Sequence, residues 1–157
     1  AVAAVDLATQ TVVGKAAVGD GPVQVYVTPD GSALLVANQG SEESPSTTLS
    51  LVDAATLVET GTVETGAGAH GVVVEPNGRY AYVTNLYADT MAVVALESLT
   101  LVASVPTGES PNGVSFSMLP PAAAATPEIV LPLPVHEEDA DAGHTEEGDA
   151  GEHEGHH

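Results

Sequence analysis

A Pro76-Asn77-Gly78 turn joins two apolar runs, His70–Glu75 and Tyr80–Asn85, and this stretch limits the possible folds more than any other. Val- and Tyr-rich runs split by a short Gly-containing turn form a β-hairpin. The same pattern occurs 47 residues earlier, as Val23–Thr28, then Pro29-Asp30-Gly31, then Leu34–Asn38. Other segments keep step with it. Val5-Asp6-Leu7-Ala8-Thr9 matches Val52-Asp53-Ala54-Ala55-Thr56 at the same offset, and Val94-Ala95-Leu96-Glu97-Ser98 takes that place 42 residues further on. Gly19-Asp20-Gly21-Pro22 likewise matches Gly66-Ala67-Gly68-Ala69 and Gly108-Glu109-Ser110-Pro111. The longer period has a local cause: Gln39–Thr48 is a polar insertion relative to Leu86–Thr90, and insertions of that kind sit in exposed loops.

Each period holds four strand-like runs, in the clearest copy His70–Glu75, Tyr80–Asn85, Met91–Leu96 and Leu101–Pro106. Four antiparallel strands in about 42 residues predict an all-β fold built of β-propeller blades. Gly71-Val72-Val73-Val74 is apolar without alternation, as a strand covered on both faces should be. A meandering β-sandwich is the alternative, although a sandwich requires no regular period.

Tyr82-Val83-Thr84-Asn85, with Pro76-Asn77-Gly78-Arg79 before it and Ala95-Leu96 after it, resembles the YVTN-type β-propeller repeat. The first copy departs from the tetrapeptide to Leu35-Val36-Ala37-Asn38. The resemblance covers residues 1 to about 118. It implies the propeller fold and, for function, an extracytoplasmic binding or scaffold protein (periplasmic, secreted or on the cell surface). Some propellers resembling this repeat are enzymes that hydrolyse sugar lactones or hold redox cofactors in the central channel.

Two strands are expected before Val23, near Val2–Val5 and Thr11–Val18, then two full blades, then one strand at Asn112–Ser117. Closed propellers have four to eight blades. The expectation is therefore an incomplete propeller over residues 1–118, completed by the rest of a longer propeller or by self-association. Residues 119–135 read as a Pro/Ala-rich linker and a proline-broken extended segment. Residues 136–157 hold no apolar side chain larger than Ala and are expected to be disordered.

Charge narrows the partners. The net charge is -20, and Lys15 and Arg79 are the only basic side chains. Nucleic acid, which is held through Lys and Arg, is a very poor partner, and anionic membrane surfaces are disfavoured for the same reason. Cations are favoured. No run approaches the roughly 20 apolar residues of a membrane-spanning helix, and without cysteine neither disulfides nor thiolate metal sites can form. Thirteen of the 22 acids precede the tail, so the acidic body also fits a protein from a salt-rich habitat.

Two places carry candidate chemistry. The tail has five histidines, His136, His144, His153, His156 and His157, among nine carboxylates that include Glu152 and Glu154. Imidazole ligates Zn²⁺, Cu²⁺ and Ni²⁺, and carboxylates add oxygen donors. Loose binding of a divalent metal is expected. A solvated acidic tail, or a tag remnant at His156-His157, accounts for the same residues. The second place is the mouth of the central channel, where His70 opens a first strand and Asn112 takes the same position in the next copy. Val23 in the first copy shows that the position does not require imidazole. A histidine hydrogen-bonded within a loop is the plain alternative. Such a channel mouth could receive a small molecule or a protein. Asp6 and Asp53 read as turn formers. The expected function is a non-enzymatic binding or scaffold module with a metal-capturing tail, the alternative being a propeller enzyme with its site in the channel.

Overall fold

The computed structural model describes residues 1–119, and they contain ten β-strands and no helix. These are β1 (Val2–Asp6), β2 (Thr11–Ala16), β3 (Pro22–Val27), β4 (Ala33–Asn38), β5 (Thr48–Asp53), β6 (Glu59–Glu64), β7 (Ala69–Val74), β8 (Tyr80–Asn85), β9 (Thr90–Ala95) and β10 (Thr100–Pro106). They form one two-stranded sheet, β1-β2, and two four-stranded antiparallel sheets, β3-β4-β5-β6 and β7-β8-β9-β10. Every strand pairs with its neighbour in the chain, the meander expected of a propeller blade. The linker and tail, from residue 120 onward, lie outside the described residues. No described helix is long and apolar enough to cross a membrane.

The turns follow from their residues. Asp6 accepts hydrogen bonds from the Thr9 backbone N–H (2.7 Å) and hydroxyl (2.8 Å), and Asp53 accepts the same pair from Thr56 (2.7 and 2.8 Å). These local bonds close the β1–β2 and β5–β6 hairpins, as anticipated for Asp before Ala-Thr. They also hold both carboxyls below the ordinary 3.8, the Thr backbone bond being the main cause. One residue after each threonine the chain turns left-handed, at Gln10 (φ 56°) and Leu57 (φ 57°), and Leu99 (φ 49°) repeats this between β9 and β10.

Those left-handed leucines were invisible as packing groups in the sequence. Leu57 reaches over Gly14 of β2, and Leu99 reaches over Gly61 of β6, so closely that a Cβ on either glycine would collide with the leucine. The two contacts are equivalent in the repeat and fasten the rim of each sheet to the sheet before it.

One expected strand is absent. Asn112–Ser117 forms no ladder. Among the described residues β3 and β7 are each paired only with the strand that follows them. Asn112–Ser117 has no following strand among the described residues, so its backbone has nothing to pair with. It nevertheless crosses the second four-stranded sheet: Phe116 lies 6.0 Å from the Tyr82 ring, centroid to centroid.

The main core lies between the two four-stranded sheets. Leu35 and Leu49 face Val72, Val74, Ala81, Val83, Ala92 and Val94 across it, all buried. Burying each branched side chain is worth about 1.5–3 kcal/mol. A smaller cluster, Ala16, Val36 and Val52 with Val2, Val18, Leu34 and Leu57 around it, joins the first two sheets.

The tetrapeptide of the second repeat ends in a buried amide with a clear task. Asn85 donates through Nδ2 to the Thr65 carbonyl and the Thr90 hydroxyl, both at 3.0 Å. Asn38 in the first repeat donates to the hydroxyls of Thr48 (3.1 Å) and Ser50 (2.9 Å). Each amide ties the end of a second strand to the start of a third. Among the described residues neither Asn38 Oδ1 nor Asn85 Oδ1 has a hydrogen-bond partner.

Candidate functional site

The strand direction gives the second sheet two distinct ends. β7 begins at His70's end and runs to the Pro76-Asn77-Gly78 turn at the other, so the two regions of interest are separated by the length of a strand.

At the first end the structure brings His70 and Asn112 together. His70 Nδ1 lies 2.7 Å from the Asn112 carbonyl oxygen. A carbonyl only accepts, so this contact places a ring proton on Nδ1, and in the neutral ring Nε2 is then the acceptor or ligand atom. Gly71 lets the chain come this close: a Cβ there would sit 3.2 Å from both the Asn112 oxygen and the Gly113 Cα. At the neighbouring junction Gln24 does a similar job. Its amide accepts from the Val72 N–H (3.0 Å) and donates to the Val72 carbonyl (3.3 Å). Both side chains fasten the backbone of the next inner segment, so His70 has a structural task at the position read as a channel mouth.

At the opposite end a cleft of about 850 Å³ opens between the β3–β4 and β7–β8 turns. Leu51, Leu96, Pro29 and Pro76 supply apolar surface, and Asp30, Asn77, Arg79 and Glu97 supply polar groups. The Arg79 guanidinium lies 5.5 Å from the centroid of the Tyr80 ring, a cation–π contact that steers the side chain. Asp30 is bound by the Thr28 hydroxyl (2.7 Å), the Ser32 N–H (3.1 Å) and the Ser32 hydroxyl. These donors, Thr28 first, lower its pKa to about 2. In the second turn Asn77 replaces it and accepts from the Arg79 N–H at 2.9 Å. The cleft therefore presents fixed carboxylate, amide and guanidinium groups beside an apolar wall, an arrangement suited to holding a polar molecule.

Residues 1–120 match the YNCE-like beta-propeller family. The chain belongs to that family. Among solved structures, the YNCE-like chain is similar to Kuenenia stuttgartiensis hydrazine synthase, at 29% identity and a TM-score of 0.55, over 64% of this chain and 27% of that one. It is also similar in fold to a functionally unknown protein from Desulfotomaculum acetoxidans DSM 771, at 20% identity and a TM-score of 0.59, over 72% of this chain and 37% of that one. It thus spans well under half the length of either neighbour. No curated protein matches.

Sequence reading missed the cleft of this YNCE-like propeller. The signal was present in the repeat: the turn geometry recurs while its side chains change, from Thr28, Asp30 and Ser32 to Glu75, Asn77 and Arg79. A scaffold kept while its exposed groups vary marks a surface free to specialise. The proposed metal ligands His136, His144, Glu152, His153, Glu154, His156 and His157 lie outside the described residues. Among the described residues no group of three or more His, Asp or Glu side chains is placed to hold a metal ion.

Proposed function

We propose that this YNCE-like propeller chain is a non-enzymatic, extracytoplasmic binding or scaffold module whose tail captures a divalent metal. The observation that carries the metal half is the density of five imidazoles and nine carboxylates within residues 136–157. Three imidazoles, His153, His156 and His157, fall within five residues, close enough to chelate one ion without a fold. The binding half is supported by the cleft, where groups fixed by the two turns surround an apolar wall. The place outside the cytoplasm comes from the resemblance alone and is tested by protease accessibility on intact cells.

Calorimetric titration with Zn²⁺, Cu²⁺ and Ni²⁺ tests the metal reading. The full chain should bind saturably, and a chain ending at Val135 should not. Binding no tighter than about 1 mM, some -4 kcal/mol, removes the metal half. Protons compete for imidazole, so affinity should fall as pH drops below about 6.5.

The second reading is a propeller enzyme with its site in the channel. The likeness to part of hydrazine synthase favours it, as does the Nε2 atom that His70 keeps for another partner. A lactone-hydrolysis or redox assay with His70→Gln as control tests it. Activity unchanged by that substitution removes His70 from the proposal.

A further inference from the structure

The two turns that border the cleft carry different charges at matching repeat positions. Asp30 and Ser32 of the β3–β4 turn correspond to Asn77 and Arg79 of the β7–β8 turn. The turns stand side by side: a Cβ on Gly78 would lie 3.9 Å from Pro29 Cδ. Each turn uses part of its hydrogen-bonding capacity on itself and keeps part for the cleft. Asp30 Oδ1 accepts from the Thr28 hydroxyl, the Ser32 N–H and the Ser32 hydroxyl. Among the described residues Oδ2 shares only the Ser32 hydroxyl, at 2.8 Å, and so has lone-pair capacity left. Asn77 Oδ1 is held by the Arg79 N–H at 2.9 Å, which fixes the amide and keeps both Nδ2 protons for another acceptor. The Arg79 guanidinium lies over the Tyr80 ring, and among the described residues it pairs with no carboxylate. Leu51 and Leu96 supply apolar surface to the same cleft, and Glu97 adds a second carboxylate.

Charge decides what can fill such a cleft. Arg79 is one of two basic side chains in a chain of net charge -20. The summed field repels a molecule that is anionic overall. A neutral molecule would strip water from guanidinium and carboxylate without pairing either, and a purely cationic one would leave Arg79 unpaired. A molecule with one anionic and one cationic end satisfies both turns. The turns belong to different sheets, and packed sheets stand roughly 10 Å apart. That is too far for the single carbon between amine and carboxylate in an amino acid, whereas two or three extended residues span about 7 to 10 Å. We propose that the cleft takes a short apolar peptide, about two or three residues long, with both termini free. Its carboxylate pairs with the Arg79 guanidinium and the Asn77 Nδ2 protons, and its ammonium with Asp30 Oδ2. Its side chains lie against Leu51 and Leu96. This assignment rests on the cleft being the binding surface of the proposed module, and names what that surface selects.

NMR titration of the full chain with leucyl-leucine tests it. The amide resonances of Ser32, Gly78 and Leu96 should shift saturably, with a midpoint below about 1 mM. Acetylating the peptide's amine or amidating its carboxylate should each weaken binding at least about tenfold. Arg79→Gln should weaken the free peptide by a similar factor and leave the amidated one unchanged. Asp30→Asn should weaken the free peptide and leave the acetylated one unchanged, so the two cycles assign each end of the peptide to its turn. Asn77 already holds the Asp30 position in the neighbouring turn, so that substitution keeps the turn. Binding indifferent to both caps, or to both substitutions, would overturn the proposal. So would a neutral disaccharide, maltose, that shifts these resonances where leucyl-leucine does not; the binding reading would then stand with a different ligand. Resonances that move with neither molecule would overturn the peptide assignment and also remove the cleft's support from the binding reading.

Discussion

β3 and β7 hold one position in two copies of a repeat, yet they live in different surroundings. β7 reads His-Gly-Val-Val-Val after its first alanine, and four of its six residues are buried together with that alanine. β3 reads Val-Gln-Val-Tyr-Val after Pro22, and its valines are exposed while Gln24 and Tyr26 turn toward the main core. The alternation of β3 is the reverse of a solvated strand's, with its apolar residues facing outward. A strand written that way specifies two neighbours whether or not both are present. Burial is a property of the company a strand keeps; pattern records only which company it was selected for.

Substitutions on the two strands should separate sharply. Val72→Asp places an unpaired charge in a closed core and should cost about 4 kcal/mol or more in denaturant unfolding. Val25→Asp, on the open stripe, should cost no more than about 0.5 kcal/mol. Equal costs would mean that the stripe is covered in solution. The two buried amides give a finer contrast. Asn85→Ala strands the buried Thr65 carbonyl and should cost about 2–3 kcal/mol. Asn38→Ala releases only hydroxyls, which can rotate to other partners, and should cost about 1 kcal/mol. The rim leucines should differ less: about 2 kcal/mol for Leu99→Ala, against the main core, and about 1 kcal/mol for Leu57→Ala, against the two-stranded sheet.

The smallest effect concerns pH. Asp30 sits well below its ordinary 3.8, near 2, because Thr28 and Ser32 donate to its ionised form. An unfolded chain takes up that proton at higher pH than the folded one. The contribution of the turn is therefore complete above about pH 4 and is lost as pH falls through the window down to about 2. Asp30→Asn should abolish that dependence, and the Asn77 turn should never show it. Carboxyl chemical shifts of Asp30 followed by NMR, with the Ser32 amide, check this directly.

The parts of the fold visible in the sequence were those set by neighbours along the chain. Pro-Asn-Gly and Asp-x-x-Thr fix their turns through bonds spanning two or three residues, and the strands between them fall within a residue or two of expectation. Two features depended on distant partners and were not visible. Asn112–Ser117 has the composition of an inner strand but forms no ladder, because a strand is made by a pair. Leu57 and Leu99 read as ordinary loop residues, since their meaning rests on Gly14 and Gly61 one sheet away. At the candidate sites, repeat alignment gave His70 and Asn112 equivalent positions in successive copies, but not the 2.7 Å contact that joins them through Nδ1. The cleft between the turns combines residues 28–33 with residues 76–80 and 95–98, a proximity no local pattern announces.

The strictly sequential pairing of strands has a consequence for how such a chain can grow. Each sheet is wired within itself, and successive sheets meet through the same few contacts: a leucine on a glycine at the rim and a polar side chain on a backbone near the axis. Duplicating one unit rewires nothing except the seam where it is inserted. Length can therefore change in whole units through simple tandem copying, and drift of the exposed turn residues can then give each copy a separate task.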